Sequence, residues 1–343
     1  MKKENIISII GIIILITGII ISGIKFFSPK KGYTVTGVPV IDSKHLKTFK
    51  NQEKLKLITP DNDNEAYHPK IVAFDQKWNG YKYWIAFTPY HGRNAMIENP
   101  VINFSNDLET WYTYEKNEPL DVPDISDDKH YNSDTHLLYN ESEDQLELFW
   151  RYVNEEDNKM IIYKMTSKDG VHWTEKEEFL KSNNRKEKDY VSPAIILENG
   201  VYKVWYVAKK AVFYLEKKGD TISKPKQLNI VYENGYKTWH IDVAYNKEIG
   251  KYEMVTVAYF DVEKREKMFV YYTSSADNET WSTPVAILGP TNDGDDWNSQ
   301  GLYRSSILYY NDKYYVFYSG HNAKYDIGVG LACATKITEL EAC

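Results

Sequence analysis

A handful of ionisable side chains stand at comparable places in this sequence, each at or beside the start of a short apolar run. The runs are HPKIVAF at His68, DTHLLYN at Asp134, SPAIILENG at Ser192 (with Asp189 just before it), HIDVAYN at His240 and YRSSILYYND at Tyr303. A charge at the head of a buried strand is costly unless it is paired. One such residue can be a strand cap or half of a structural ion pair, but a series points to a shared pocket. Two carboxyl groups, one protonated and one ionised, can cleave a glycosidic bond, at a separation of about 6.5–9.5 Å for inversion and about 5–5.5 Å for retention. Asp134, Asp242 and Asp189 are the catalytic candidates, and Asp242, just after His240, should point inward. Neighbouring His and Arg would tune their pKa values according to charge. Arg304 offers a planar fork suited to a carboxylate or sulfate on a sugar. The loop PYHGRNAMIENP, residues 89–100, adds Arg93 and Glu98 as a rim. The substrate-binding candidates are therefore His68, Arg93, Glu98, His240, Tyr303 and Arg304.

Other chemistries find little support. The chain lacks a glycine-rich phosphate loop, HExxH, GxSxG and paired CxxC. His68 and His240 could share a metal with Asp242, but so few scattered ligands are a weak signal, and no metal is expected in the site. Asp293, Asp295 and Asp296 read as a solvated turn, with a structural calcium as the alternative; no other cofactor is expected.

The elements that must position these residues are strands. After about Tyr67 the chain runs in short β-branched and aromatic stretches broken by Asn, Asp, Gly and Lys, with no convincing helical period. The motif Ser-x-Asp-x-x-x-Trp occurs at Ser105/Asp107/Trp111, Ser167/Asp169/Trp173 and Ser275/Asp277/Trp281. The first two tryptophans are 62 residues apart and the next pair 108, which leaves room for one eroded copy over 193–220. The Asp can bond nearby backbone N–H groups and the Trp can pack between units, so these motifs are structural. Counting the five apolar starts, the repeat predicts an all-β, five-bladed β-propeller over residues 61–343. Ring closure by pairing of the chain ends would use the extended segment near Tyr33–Val40. In a propeller, first strands line the central channel, so equal phase brings the candidates to one mouth.

Aromatic residues make up 15% of the chain, with 29 Tyr and 9 Trp, which suits both sheets and a sugar-binding surface. The net charge is −7; residues 1–31 carry five lysines against one glutamate, or +4, so the remainder carries −11. So acidic a domain is a poor nucleic-acid binder. Two cysteines are too few for a disulfide framework. Ile6–Ile24 is uncharged over 19 residues and follows Lys2 and Lys3, long enough to span a bilayer as a single helix. Residues 1–28 read as a signal-anchor or transmembrane segment and 29–60 as a linker and lead-in. The expected location is the cell membrane, single-pass, with the propeller extracellular, or secreted if the N-terminus is cleaved.

On the five blade starts and the SKDGVHW-type turns, residues 60–340 resemble the five-bladed glycoside hydrolase superfamily of arabinanases, β-xylosidases and invertases, including glycoside hydrolase family 43. That resemblance implies an Asp base in blade one, a pKa-tuning Asp in blade two and a Glu acid in blade three. Asp134 matches the second. His68 stands before Pro69 where the family has Asp, and Val191 stands in VSP where the family has Glu. The expectation is a glycosidase-like propeller acting on an extracellular or cell-envelope polysaccharide through a carboxylate pair. The alternative is a non-catalytic surface propeller that binds glycan.

Overall fold

The structure, a computed structural model, describes residues 44–182, 189–232, 235–260 and 267–343. The anchor at 1–28, the linker up to residue 43 and the Tyr33–Val40 segment lie outside the described residues. Among those described, no helix is long and apolar enough to cross a membrane.

The β-branched and aromatic runs form antiparallel sheets of consecutive strands, joined by turns at Asn, Asp and Gly. Blade one holds Ala66–Trp78, Tyr81–Pro89, Val101–Ser105 and Trp111–Tyr112. Blade two holds His130–Asn140, Gln145–Asn154, Lys159–Ser167 and Glu177–Ser182. Blade three holds Val191–Glu198, Val201–Ala208 and Ala211–Lys218, with two short outer strands. Blade four holds Lys237–Asn246, Lys251–Tyr259, Phe269–Ser275 and Val285–Leu288, and blade five Gly301–Tyr310, Lys313–His321, Ile327–Ala334 and Glu341–Ala342. The five innermost strands touch in a closed ring, blade five returning to blade one. The architecture is a five-bladed, all-β propeller, with two 3₁₀ turns, His91–Arg93 and Ala95–Ile97, in the loop of blade one.

The core is divided to match. Among the described residues there is one hydrophobic cluster at each blade interface, such as Trp84, Ile102, Leu148 and Trp150 between blades one and two, and Val257, Val270, Ile307 and Val316 between four and five. Each blade thus buries its faces only against its neighbours. Hydrogen bonds cross some of these interfaces too. Buried Glu147 takes bonds from Asn140 (2.8 Å) and from the Tyr202 hydroxyl of the next blade (2.8 Å). Glu253 repeats this with Asn246 (3.0 Å) and Tyr314 (2.9 Å).

The Ser-x-Asp turns work as their chemistry suggests. Asp107 accepts the N–H groups of Glu109 and Thr110, Asp169 those of Val171 and His172, and Asp277 those of Glu279 and Thr280, all at 2.7–2.9 Å.

Residues 44–60 are packed against the ring. Lys47 pairs with Ile287 and Gly289 of blade four (3.0 and 2.9 Å), the Leu55 N–H reaches Val329 of blade five (2.8 Å), and the Ile58 N–H reaches Asn103 of blade one (2.7 Å). Asp296 in the acidic turn takes the Asn51 N–H (2.9 Å), and Asp293 lies 3.4 Å from Lys50. The two cysteines, Cys333 and Cys343, form a disulfide that ties the C-terminal end to blade five.

Candidate active site

The site begins with an irregularity that every blade shares. At the same point, each innermost strand carries one residue more than its neighbour: between Tyr67 and Lys70, Ser133 and His136, Val191 and Ala194, Thr238 and His240, and Leu302 and Ser305. Such bulges bend a strand and re-aim its side chains. In blades one to three the bulge residue adopts a left-handed backbone, with φ of 53° at His68, 51° at Asp134 and 54° at Ser192. A non-glycine residue held there costs about 1–3 kcal/mol, strain that clusters at functional sites.

Three bulge-region side chains converge. His240 Nδ1 lies 3.4 Å from Asp134 Oδ1, and His68 Nε2 lies 3.9 Å from the same oxygen. One ligand atom from each of His68, Asp134 and His240 falls within 4.8 Å of the others. Thr88 Oγ1 holds His68 Nδ1 at 3.0 Å, which fixes the ring with Nε2 toward Asp134. Burial pushes His68 down to about 3 and lowers His240 as well, so both imidazoles are neutral at physiological pH. Burial alone would raise Asp134, but the two histidines and Arg304 more than offset it and hold the carboxyl well below the usual range. Asp134 Oδ1 and both ring nitrogens of His240 are buried without a hydrogen-bond partner. Two neutral imidazoles and a carboxylate with unspent lone pairs are the donor set of a small divalent cation, so the residues fit a metal. A second acidic cluster, Asp63, Glu65 and His91, is partly exposed; its groups are engaged with one another and with Gly92 and Thr59.

Beneath these three lies a layer that water does not reach. Lys70 Nζ spans both oxygens of Asp242 at 2.7 and 2.8 Å, and the Ile307 N–H adds a bond at 3.0 Å. Arg304 is 0% exposed; its Nη2 bonds the Pro193 carbonyl (2.9 Å), and its Nη1 stands 3.7 Å from Asp134. His136 fills the same layer, 3.9 Å from Asp242. Asp242 and Arg304 therefore lie deeper than the pocket expected to hold them: Asp242 stands two residues after His240, and a strand sends such residues to the same face at successive depths, while Arg304 is turned inward at the blade-five bulge.

The cavity above His68, Asp134 and His240 is about 170 Å³. Its walls include Glu98 and Tyr90 from the blade-one loop, Tyr131 and Arg151 from blade two, Trp239 from blade four and Tyr303 from blade five. Tyr303 stacks on Tyr67 with ring centroids 4.8 Å apart and takes a 2.9 Å bond from the Trp239 indole. Glu98 Oε2 is 3.9 Å from His68 Nδ1, and burial together with the charge of Asp134 pushes its carboxyl well up.

Of the expected residues, His68, Glu98, Asp134, His240 and Tyr303 line the pocket. Asp189 does not: its carboxylate takes the Ser182 hydroxyl (2.8 Å) and its carbonyl takes Arg151 Nε (3.1 Å). Arg93 is exposed and stacks over Tyr325 at 4.7 Å, outside the pocket lining. The carboxylate that joins His68 and His240 is Asp134, not Asp242, since Asp242 is taken by Lys70. Arg151, Tyr90 and Trp239 were not anticipated. Arg151 left one trace, a cation closing the apolar run LELFW.

No protein-family model matches the chain. It is 24% identical over 296 residues to an A type blood N-acetyl-α-D-galactosamine deacetylase of Flavonifractor plautii, a match that covers 72% of this chain and 38% of that protein. The chain thus spans under two-fifths of that relative's length. The crystal structure of an N-acetylgalactosamine deacetylase from F. plautii in complex with blood group B trisaccharide superposes with a TM-score of 0.72 at 20% identity, covering 83% of this chain and 94% of that one. An exo-1,5-α-L-arabinanase from a bovine ruminal metagenomic library superposes at 0.55 with 12% identity, over 78% and 93%. At these identities the likeness shows the fold, a five-bladed propeller shared with arabinanases, β-xylosidases and a deacetylase.

Proposed function

We propose that the pocket hydrolyses an acyl group from a glycan, in the first instance the N-acetyl group of an amino sugar, with a divalent cation held by His68, Asp134 and His240. The observation that carries this is the donor set itself: two neutral imidazoles and a carboxylate, close together, buried and with unpartnered ligand atoms. The similarity to a protein named as an N-acetylgalactosamine deacetylase supports the choice of acyl transfer.

A divalent cation bound there supplies a Lewis acid and a water acidic enough to ionise near neutrality. The chain's residues do the rest. Thr88 fixes the His68 ring, and Arg304 from below offsets part of the Asp134 charge. Glu98, whose carboxyl burial and the Asp134 charge push up, would give its proton to the leaving nitrogen. Water oxygen bonds to the acyl carbon as the carbon–nitrogen bond breaks, one water proton restoring Glu98 and the other passing to solvent, and a carboxylate and a free amine leave. Tyr90, Trp239 and Tyr303 offer aromatic faces to the sugar.

A second reading rests on a separate observation: Glu98 is pushed up and Asp134 held down, the split that assigns an acid and a base in glycosidic cleavage. Here the pair would be Asp134 and Glu98 in place of Asp134 and Asp242. One experiment separates the readings. The purified chain, stripped with EDTA and reloaded with Mn²⁺ or Zn²⁺, is incubated with N-acetylated glycans, and acetate and reducing ends are measured. Metal-dependent acetate release supports deacylation. Metal-independent reducing ends support glycosidic cleavage, and bound glycan without either product supports a binding propeller.

We also place the propeller outside the cytoplasm, tethered through the N-terminal apolar segment. The Cys333–Cys343 disulfide suits an oxidising compartment. Protease shaving of intact cells should release the domain; protection until lysis would reverse the topology.

A further inference from the structure

Arg151 comes from the second strand of blade two, register-paired with Ser133, the residue before Asp134. It lines the pocket and is 6% exposed. Its Nε donates to the Asp189 carbonyl (3.1 Å), its Nη1 to the Ser133 hydroxyl (3.5 Å) and its Nη2 to the Met160 sulfur (3.3 Å). None of these partners is charged. Among the described residues no carboxylate lies within 4.0 Å of its guanidinium, and two of its five N–H donors are left over. The other buried cations of the centre are not in this position: Lys70 is paired with Asp242, and Arg304 stands 3.7 Å from Asp134.

Glu98 and Asp134 share the cavity with Arg151 but neither touches it, and a buried cation held only at that longer range gains most when an anion arrives in contact. We infer that Arg151 is a specificity residue that receives the carboxylate of an acidic sugar, so that the glycan taken by this pocket carries a uronic acid. The planar fork matches a planar carboxylate through two parallel bonds. Neighbouring strands lie about 4.8 Å apart, so this anion site is one strand from Asp134. The carboxylate then belongs to the sugar that carries the reacting group or to the sugar joined to it. The inference rests on the pocket taking a glycan and not on the metal chemistry.

The test is therefore run without metal. In EDTA, titration calorimetry of the full chain compares an unsulfated chondroitin tetrasaccharide with its carboxyl-reduced, neutral counterpart. The acidic form should bind about tenfold tighter or more, the worth of charged hydrogen bonds. R151Q should erase that difference and R151K, which keeps the charge but loses the fork, should keep part of it, with R151K carrying the test should R151Q fail to fold. Equal affinities, no binding of either tetrasaccharide, or a preference that survives in R151Q overturns the inference. Loss of acetate release from metal-loaded protein with the preference intact would instead sink the deacylation reading and leave the anion site standing.

Discussion

Glu98 and Asp242 are both buried carboxyl groups at the centre of the ring, yet their surroundings are opposite. Glu98 faces the cavity, and burial and the Asp134 charge push its carboxyl well up. Glu98→Gln should cut turnover by about 10²–10⁴-fold, the usual worth of a positioned acid, with metal binding and melting temperature unchanged. Asp242 is held by Lys70 at 2.7 Å and by a backbone N–H, outside the lining of the cavity. Asp242→Asn should lower stability by about 3–5 kcal/mol in urea titrations, since it strands a buried lysine. Intact stability with lost turnover would restore Asp242 to the chemistry. His240→Ala should abolish both metal uptake and acetate release, read by calorimetry and an acetate assay. His68, Asp134 and His240 could be picked from the sequence because each breaks an otherwise apolar strand start. Which carboxylate they share could not, because Lys70 claims Asp242 from 172 residues away. Arg151 carries no such mark, because it sits on a second strand, away from the repeated starts of the innermost ones.

At the scale of the element, the propeller repeats two devices, and only one leaves a sequence signature. The Ser-x-Asp turn is written in side chains, so three copies and their spacing revealed the blades. The bulge is written in backbone pairing and has no fixed residue: His68, Asp134 and Ser192 share a backbone conformation and no chemistry. Ser192 shows what the device does when it serves packing alone. Its hydroxyl and the Ile241 backbone exchange bonds at 2.8 and 3.1 Å, fastening blade three to blade four. The turn itself admits a sharper test. Gly170, with φ of 76°, leaves room for the Trp84 ring, and a Cβ there would come within 2.2 Å of it. Gly170→Ala should destabilise the protein by at least about 1–3 kcal/mol through overpacking and backbone strain, measured by thermal melting. A neutral result would show that the blade one–two interface is looser than its packing implies.

For the whole molecule, closure is distributed. Residues 47–58 clasp blades four, five and one, and the disulfide closes a loop of 10 residues at the far end. Reduction should cost about 2–3 kcal/mol, visible as a melting temperature lower by a few degrees in dithiothreitol. An unchanged melt would mean that the pairing of Glu341–Ala342 with Ala332 and Cys333 holds the C-terminal end without it. The buried layer of Lys70, His136, Asp242 and Arg304 has a different consequence. It makes the central passage a dead end, with one door for everything that enters or leaves. A polymer cannot pass through the ring, so under the proposed chemistry the glycan approaches the pocket from the cavity side alone. The spent glycan must clear that door before the next can enter, and under the proposed chemistry it should inhibit in simple competition with its own precursor.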